Sequence, residues 1–116
     1  RDAEREVKEI LRPLKRRDLE AVGSIAERNA WRMHATSLAA NPPLCYLRPG
    51  TLAIIEAARL ARQKGVHAWF TLDAGPNPVL LTTAADEKAV TQLALAHGAT
   101  SVVPCVPGGD AQLIQA

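Results

Sequence analysis

The chain has 116 residues, of which 47% are hydrophobic, and a formal charge of +2. That length suits one domain with one core, and so large an apolar share excludes a disordered chain. Aromatic residues make up only 3%, so Leu, Val, Ile and Ala must fill the core, and recognition of nucleic acid by base stacking is disfavoured.

Residues 2–16 read as a charged helix with Val7, Ile10, Leu11 and Leu14 at helical spacing. Because this pattern is already under way at Arg1, with no initiating Met, the chain reads as a fragment or a processed product. Its first seventeen residues carry seven basic and four acidic side chains. Mixed signs at this spacing predict a solvated helix face, with a basic surface for phosphate or RNA as the alternative. Asp18 is a suitable N-cap for the next helix. Leu19, Val22, Ala26, Ala30 and Met33 form its stripe, and it should end near Ala39, because Asn41-Pro42-Pro43 cannot continue a hydrogen-bond ladder. Pro49-Gly50-Thr51 opens another helix, with Thr51 as the expected cap. Ile54, Ile55, Ala58 and Ala61 give its buried stripe, and Gly65 its C-terminal glycine.

From Val66 the period falls to two. Val66, Ala68, Phe70 and Leu72 face one way, while His67, Trp69, Thr71 and Asp73 face the other. Residues 74–78 make a turn, and residues 79–83 the returning strand. Asp86 or Thr83 caps a further helix that Gly98 ends. Residues 100–106 and 111–115 are predicted as a second strand pair, although Pro104 confines the first of these to an edge or a bulge. The expected architecture is α+β: an antiparallel four-stranded sheet with helices packed on one face.

The candidate chemistry is sparse. Asp73 ends a strand and opens a Gly-Pro turn, a place where side chains project into clefts; the alternative is an aspartate that organises the turn through its own downstream amides. His34, on the flank of a helix, reads as a packing or surface histidine. His67 is on the Asp73 side of its strand but about 20 Å away along it, too far to form a pair. His97 near a helix C-terminus suits the helix dipole, and Gly108-Gly109 suits a turn. Cys45 and Cys105 lie in no metal-ligand pattern, so two reduced thiols and no metal are expected. No glycine-rich nucleotide loop occurs. There is no signal peptide and no apolar run of about 20 residues, so a cytoplasmic protein without a membrane partner is expected.

Three segments carry a resemblance. Trp69-Phe70-Thr71-Leu72-Asp73-Ala74-Gly75-Pro76-Asn77, Arg32-Met33-His34-Ala35-Thr36-Ser37-Leu38 and Pro42-Pro43-Leu44-Cys45-Tyr46-Leu47 together resemble, in order and spacing, the mevalonate diphosphate decarboxylases of the GHMP kinase superfamily. The chain departs from that pattern at Leu72, at Leu44 and at Pro107-Gly108-Gly109-Asp110. The resemblance implies that residues 1–116 form the ferredoxin-like C-terminal domain of such an enzyme. It implies ATP-dependent decarboxylation of mevalonate 5-diphosphate to isopentenyl diphosphate, with Asp73 as the catalytic residue. ATP and Mg2+ would be held mainly by an amino-terminal domain outside this chain, so the chain alone should be inactive. The implied partners are the diphosphate substrate and that domain; a homodimer is left open, and no nucleic acid is expected. Phosphomevalonate decarboxylase, mevalonate 3-kinase and a non-catalytic binding module remain as alternatives.

Overall fold

The computed structural model describes residues 2–110. In chain order they form α1 (Asp2–Arg16), α2 (Leu19–Leu38), α3 (Pro49–Gln63), β1 (Trp69–Thr71), β2 (Val79–Leu81) and α4 (Glu87–Ala96). The α+β class holds, and so do most helix limits. Asp18 caps α2 by accepting from the Ala21 amide at 3.0 Å, and α2 stops at Ala39. Gly65 and Gly98 follow α3 and α4 with φ of +87° and +109°, a conformation glycine adopts without steric cost.

The four-stranded sheet is corrected to two strands among the described residues. β1 and β2 pair antiparallel, with Phe70 opposite Leu80. Residues 100–106 form no strand, and Val103 and Val106 lie open to solvent. β-branched content supplies no ladder partner, and Pro104 removes a donor from any ladder. The other expected strand, residues 111–115, lies outside the described residues.

The expected cap of α3 is also corrected. Arg48 is the N-cap, Pro49 occupies the first helical position, and Thr51 stands at the third, where proline's missing amide costs the helix nothing.

β1 organises the core. Phe70 and Leu72 pack with Ala30 of α2 and Ile55 of α3. On the side of α4, Ala68 packs with Ala58 and Val90. Of the predicted inward set, Ala68, Phe70 and Leu72 are buried and Val66 is partly so. The edge of β1 away from β2 meets side chains instead of a strand. Glu27 of α2 accepts the Phe70 amide at 3.1 Å, and Arg62 of α3 donates to the Ala68 carbonyl at 2.6 Å. Glu27 and Arg62 also pair with each other at 2.6 Å. Gly23 lets the α2 backbone reach β1, because a Cβ there would lie 2.2 Å from the Trp69 ring.

α1 packs the opposite way from its apolar spacing. Its buried residue is Glu6, bonded to Arg28, Asn29 and Arg32 of α2. Val7, Leu11 and Leu14 are 62%, 52% and 51% exposed. The solvated charged face expected for this helix is thus only partly right.

Candidate functional site

The contacts between α2 and β1 advance together. Gly23 meets Trp69, Glu27 meets the Phe70 amide, and Ala30 meets Phe70 and Leu72.

The three motif segments contact one another. The His34 ring meets Tyr46 edge to face, with centroids 6.0 Å apart. Leu47 packs on the Ala30–Ile55–Phe70–Leu72 cluster. The hydroxyl of Thr51 donates to the Pro76 carbonyl at 2.6 Å, which ties the loop of residues 73–77 to the start of α3. Residues 39–48 fold back onto α2, where the Leu44 amide donates to the Ser37 carbonyl at 2.9 Å.

Asp73 is exposed. The Gly75 amide donates to its backbone carbonyl at 2.9 Å. Among the described residues no hydrogen bond or ion pair engages its carboxylate. An aspartate whose task is to organise a turn spends its carboxylate on downstream amides, and this one does not. A free, solvated carboxylate can accept a proton or face a developing positive charge.

The other candidates fall elsewhere. His67 lies at the start of the strand segment, with Nδ1 2.8 Å from Asp86 Oδ2, and joins no site with Asp73. Its backbone amide also donates to that oxygen at 3.0 Å. This backbone bond first, and the ring contact second, hold the Asp86 carboxyl below its ordinary range. His97 places Nδ1 2.8 Å from the Leu93 carbonyl in the last turn of α4, in keeping with a role at the helix end. His34 is 2% exposed and is a packing histidine. Its Nε2 is buried and has no partner among the described residues. Cys45 and Cys105 are free and exposed. Among the described residues no helix is long and apolar enough to cross a membrane.

A cleft of about 390 Å³ opens at the start of β1, beside Arg59, Arg62, His67 and Trp69. Arg59 and Arg62 already have partners in Glu56 and Glu27, and the His67 ring in Asp86, and Arg62 also covers the Trp69 ring at 4.1 Å. It is therefore a poorer anion site than its composition suggests.

Sequence reasoning missed Thr51 as a loop anchor and Glu27 as an edge group. Thr51 carried a signal, a hydroxyl at a helix start. Glu27 carried none, because its partners lie 35 and 43 positions away.

Comparison with known proteins bears on the family and the fold. The family described as the mevalonate 5-diphosphate decarboxylase C-terminal domain matches residues 3–103. A diphosphomevalonate decarboxylase of Ganoderma lucidum is 33% identical over 86 residues, covering 69% of this chain and 22% of that protein. The structure of mevalonate pyrophosphate decarboxylase from Streptococcus pyogenes superposes with a TM-score of 0.78 at 33% identity, over 90% of this chain and 35% of that one. A structure described as MDDEF in complex with MVAPP, AMPPCP and magnesium superposes with a TM-score of 0.76 at 35% identity, over 84% of this chain and 30% of that one. The chain thus spans about a fifth of the length of the curated relative and about a third of the solved ones. With the family match running through nearly the whole described fold, the chain belongs to the mevalonate 5-diphosphate decarboxylase C-terminal domain family.

Proposed function

We propose that this chain is the Asp73-bearing C-terminal domain of an ATP-dependent decarboxylase that converts mevalonate 5-diphosphate to isopentenyl diphosphate. The observation that carries the proposal is the exposed Asp73 carboxylate, without a hydrogen-bond or ion-pair partner among the described residues, in a loop tied to the start of α3. Family membership gives the substrate class, and a relative captured with MVAPP, AMPPCP and magnesium supports it.

In this reading Asp73 takes the proton of the substrate's 3-hydroxyl as that oxygen becomes a nucleophile. A positioned general base contributes about 10²–10⁴ in rate. Once the exposed Asp73 has passed that proton to solvent, its ionised form would stabilise positive charge at C3 as the carbon–oxygen bond there breaks, the phosphate leaves and the carboxylate departs as carbon dioxide. ATP with Mg2+ would supply the phosphoryl group that turns the 3-hydroxyl oxygen into a leaving group. The residues around Asp73 offer a carboxylate and no glycine-rich loop, a set suited to the hydroxyl and not to a nucleotide. We therefore assign ATP, Mg2+ and the substrate's diphosphate to an amino-terminal domain, and expect this chain alone to be inactive. Cytoplasmic residence belongs to the same reading.

The test uses the full-length protein that carries this chain. It is given mevalonate, its 5-phosphate and its 5-diphosphate in turn, and carbon dioxide and ADP are measured separately. The proposal expects equal release of both with the 5-diphosphate alone. ADP without carbon dioxide would show a kinase instead, and preference for the 5-phosphate would replace the substrate.

A further inference from the structure

We infer that Thr51 is a positioning residue for this reaction: its hydroxyl holds the 73–77 loop against the start of α3 and so fixes where the Asp73 carboxylate stands. The inference deepens the proposed function and rests on its assignment of Asp73.

Thr51 is 4% exposed. Its Oγ1 accepts the Arg48 amide at 3.3 Å and donates to the Pro76 carbonyl at 2.6 Å. A hydroxyl has one proton to give. Because the Arg48 amide is itself a donor, that proton must go to Pro76, and the two bonds together fix the direction of the hydroxyl.

The loop depends on that bond. On one side of Asp73, Leu72 is locked into the core. Beyond it, the Gly75 amide reaches only the Asp73 carbonyl, inside the loop. Among the described residues, the Thr51–Pro76 bond is the one hydrogen bond that joins residues 73–77 to another element. Asp73 therefore stands on a short span with core packing before it and, ahead of the Thr71–Val79 pairing that closes the hairpin, a single hydroxyl after it. Among the described residues its carboxylate has no side-chain partner to hold it. Misplacing a reacting group by about 1 Å can lower turnover about 10²-fold, so the anchor bears on rate rather than on binding.

The test compares Thr51→Val and Thr51→Ser in the full-length protein, assayed well below each melting temperature. Valine keeps the shape but lacks the proton and the lone pairs; serine keeps both bonds. For Thr51→Val, kcat should fall by about 10–100-fold while KM for ATP and for mevalonate 5-diphosphate stays within about threefold. Thr51→Ser should keep kcat within about threefold of the parent. In an Asp73→Asn background, Thr51→Val should cost little more, because both changes act on one group.

A folded Thr51→Val with parental kcat overturns the inference, as does a rise in KM at unchanged kcat. If Thr51→Val does not fold, Thr51→Ser decides the matter, since a folded serine variant that loses turnover also overturns it. If Asp73→Asn collapses turnover and Thr51→Val does not, only the Thr51 inference fails. If Asp73→Asn itself turns over normally, the assignment of Asp73 fails first.

Discussion

At its start β1 is surrounded by polar side chains paired with one another; at its end it leads to one carboxylate with no partner among the described residues. Around Trp69 and Phe70, Glu27 meets Arg62, Asp86 meets His67, and backbone groups of the strand segment close both networks. Past Thr71, the Asp73 carboxylate stands in solvent, and the loop that carries it is tied down through a neighbour. Carboxylates committed to amides and guanidinium groups hold structure together, and their charge is already used. A carboxylate left free by a loop that others secure can act on a substrate. The start of β1 has the more conspicuous cleft and cluster, yet the chemistry is assigned to the quieter end.

The sharpest way to break this contrast is Asp73→Asn in the full-length protein. Turnover should fall by about 10²–10⁴, with the melting temperature unchanged, because no fold contact is removed. An asparagine variant with near-parental turnover would return Asp73 to the role of a turn residue.

The converse holds at the other end. Glu27→Gln leaves Arg62 without its counter-charge in a half-buried setting, and denaturant unfolding should show a loss of about 3 kcal/mol. Turnover per folded molecule should stay near the parent. A variant as stable as the parent would show that the network is decorative.

A smaller effect is expected at Gly23→Ala. An alanine in a helix interior normally adds about 1 kcal/mol of stability relative to glycine. Here its methyl would run into the Trp69 ring, and overpacking of that kind costs about 1–3 kcal/mol. A net loss of stability is expected, and a raised melting temperature would contradict the close approach of α2 to β1.

The mildest effect is acid lability. Asp86 and Glu6 both ionise below their ordinary range, Asp86 chiefly through the His67 amide and Glu6 chiefly through Asn29 and then Arg28. For groups whose folded pKa is lowered, the stabilisation is complete above the unfolded value. It is lost as pH falls below about 4, through the folded values. Urea midpoints measured between pH 7 and pH 3 should show this loss, and Asp86→Asn should reduce it.

Much of the fold was legible because its signals are local. The spacing of Ile54, Ile55, Ala58 and Ala61, the cap at Asp18 and the glycines at 65 and 98 each mark a helix through its own neighbours. The alternation of Ala68, Phe70 and Leu72 identified the buried face of β1. Asp73 stood out from its place at a strand end, and its meaning came from the resemblance. What failed depended on distant partners. Residues 100–106 read as a strand from their β-branched content but have no ladder to join. Periodicity made α1 a helix without saying which side would be covered, and a buried Glu6 needs Arg28 and Arg32 from the next helix. Thr51 was recognised as a helix-start residue, but its bond to Pro76, 25 positions on, leaves no mark in the local sequence.

The Glu27–Arg62 pair has a consequence beyond the stability of one molecule. The Phe70 amide and the Ala68 carbonyl it engages are the hydrogen-bonding groups that an uncovered strand offers to a strand of another chain. With both groups taken by side chains, that margin of the sheet gives an incoming copy nothing to template on. Removing the pair would uncover a short stretch rich in aromatic and β-branched residues, Trp69-Phe70-Thr71, of the kind that seeds stacking between molecules. The same two side chains that close this edge of a small sheet therefore also remove it as a template for a strand of another molecule.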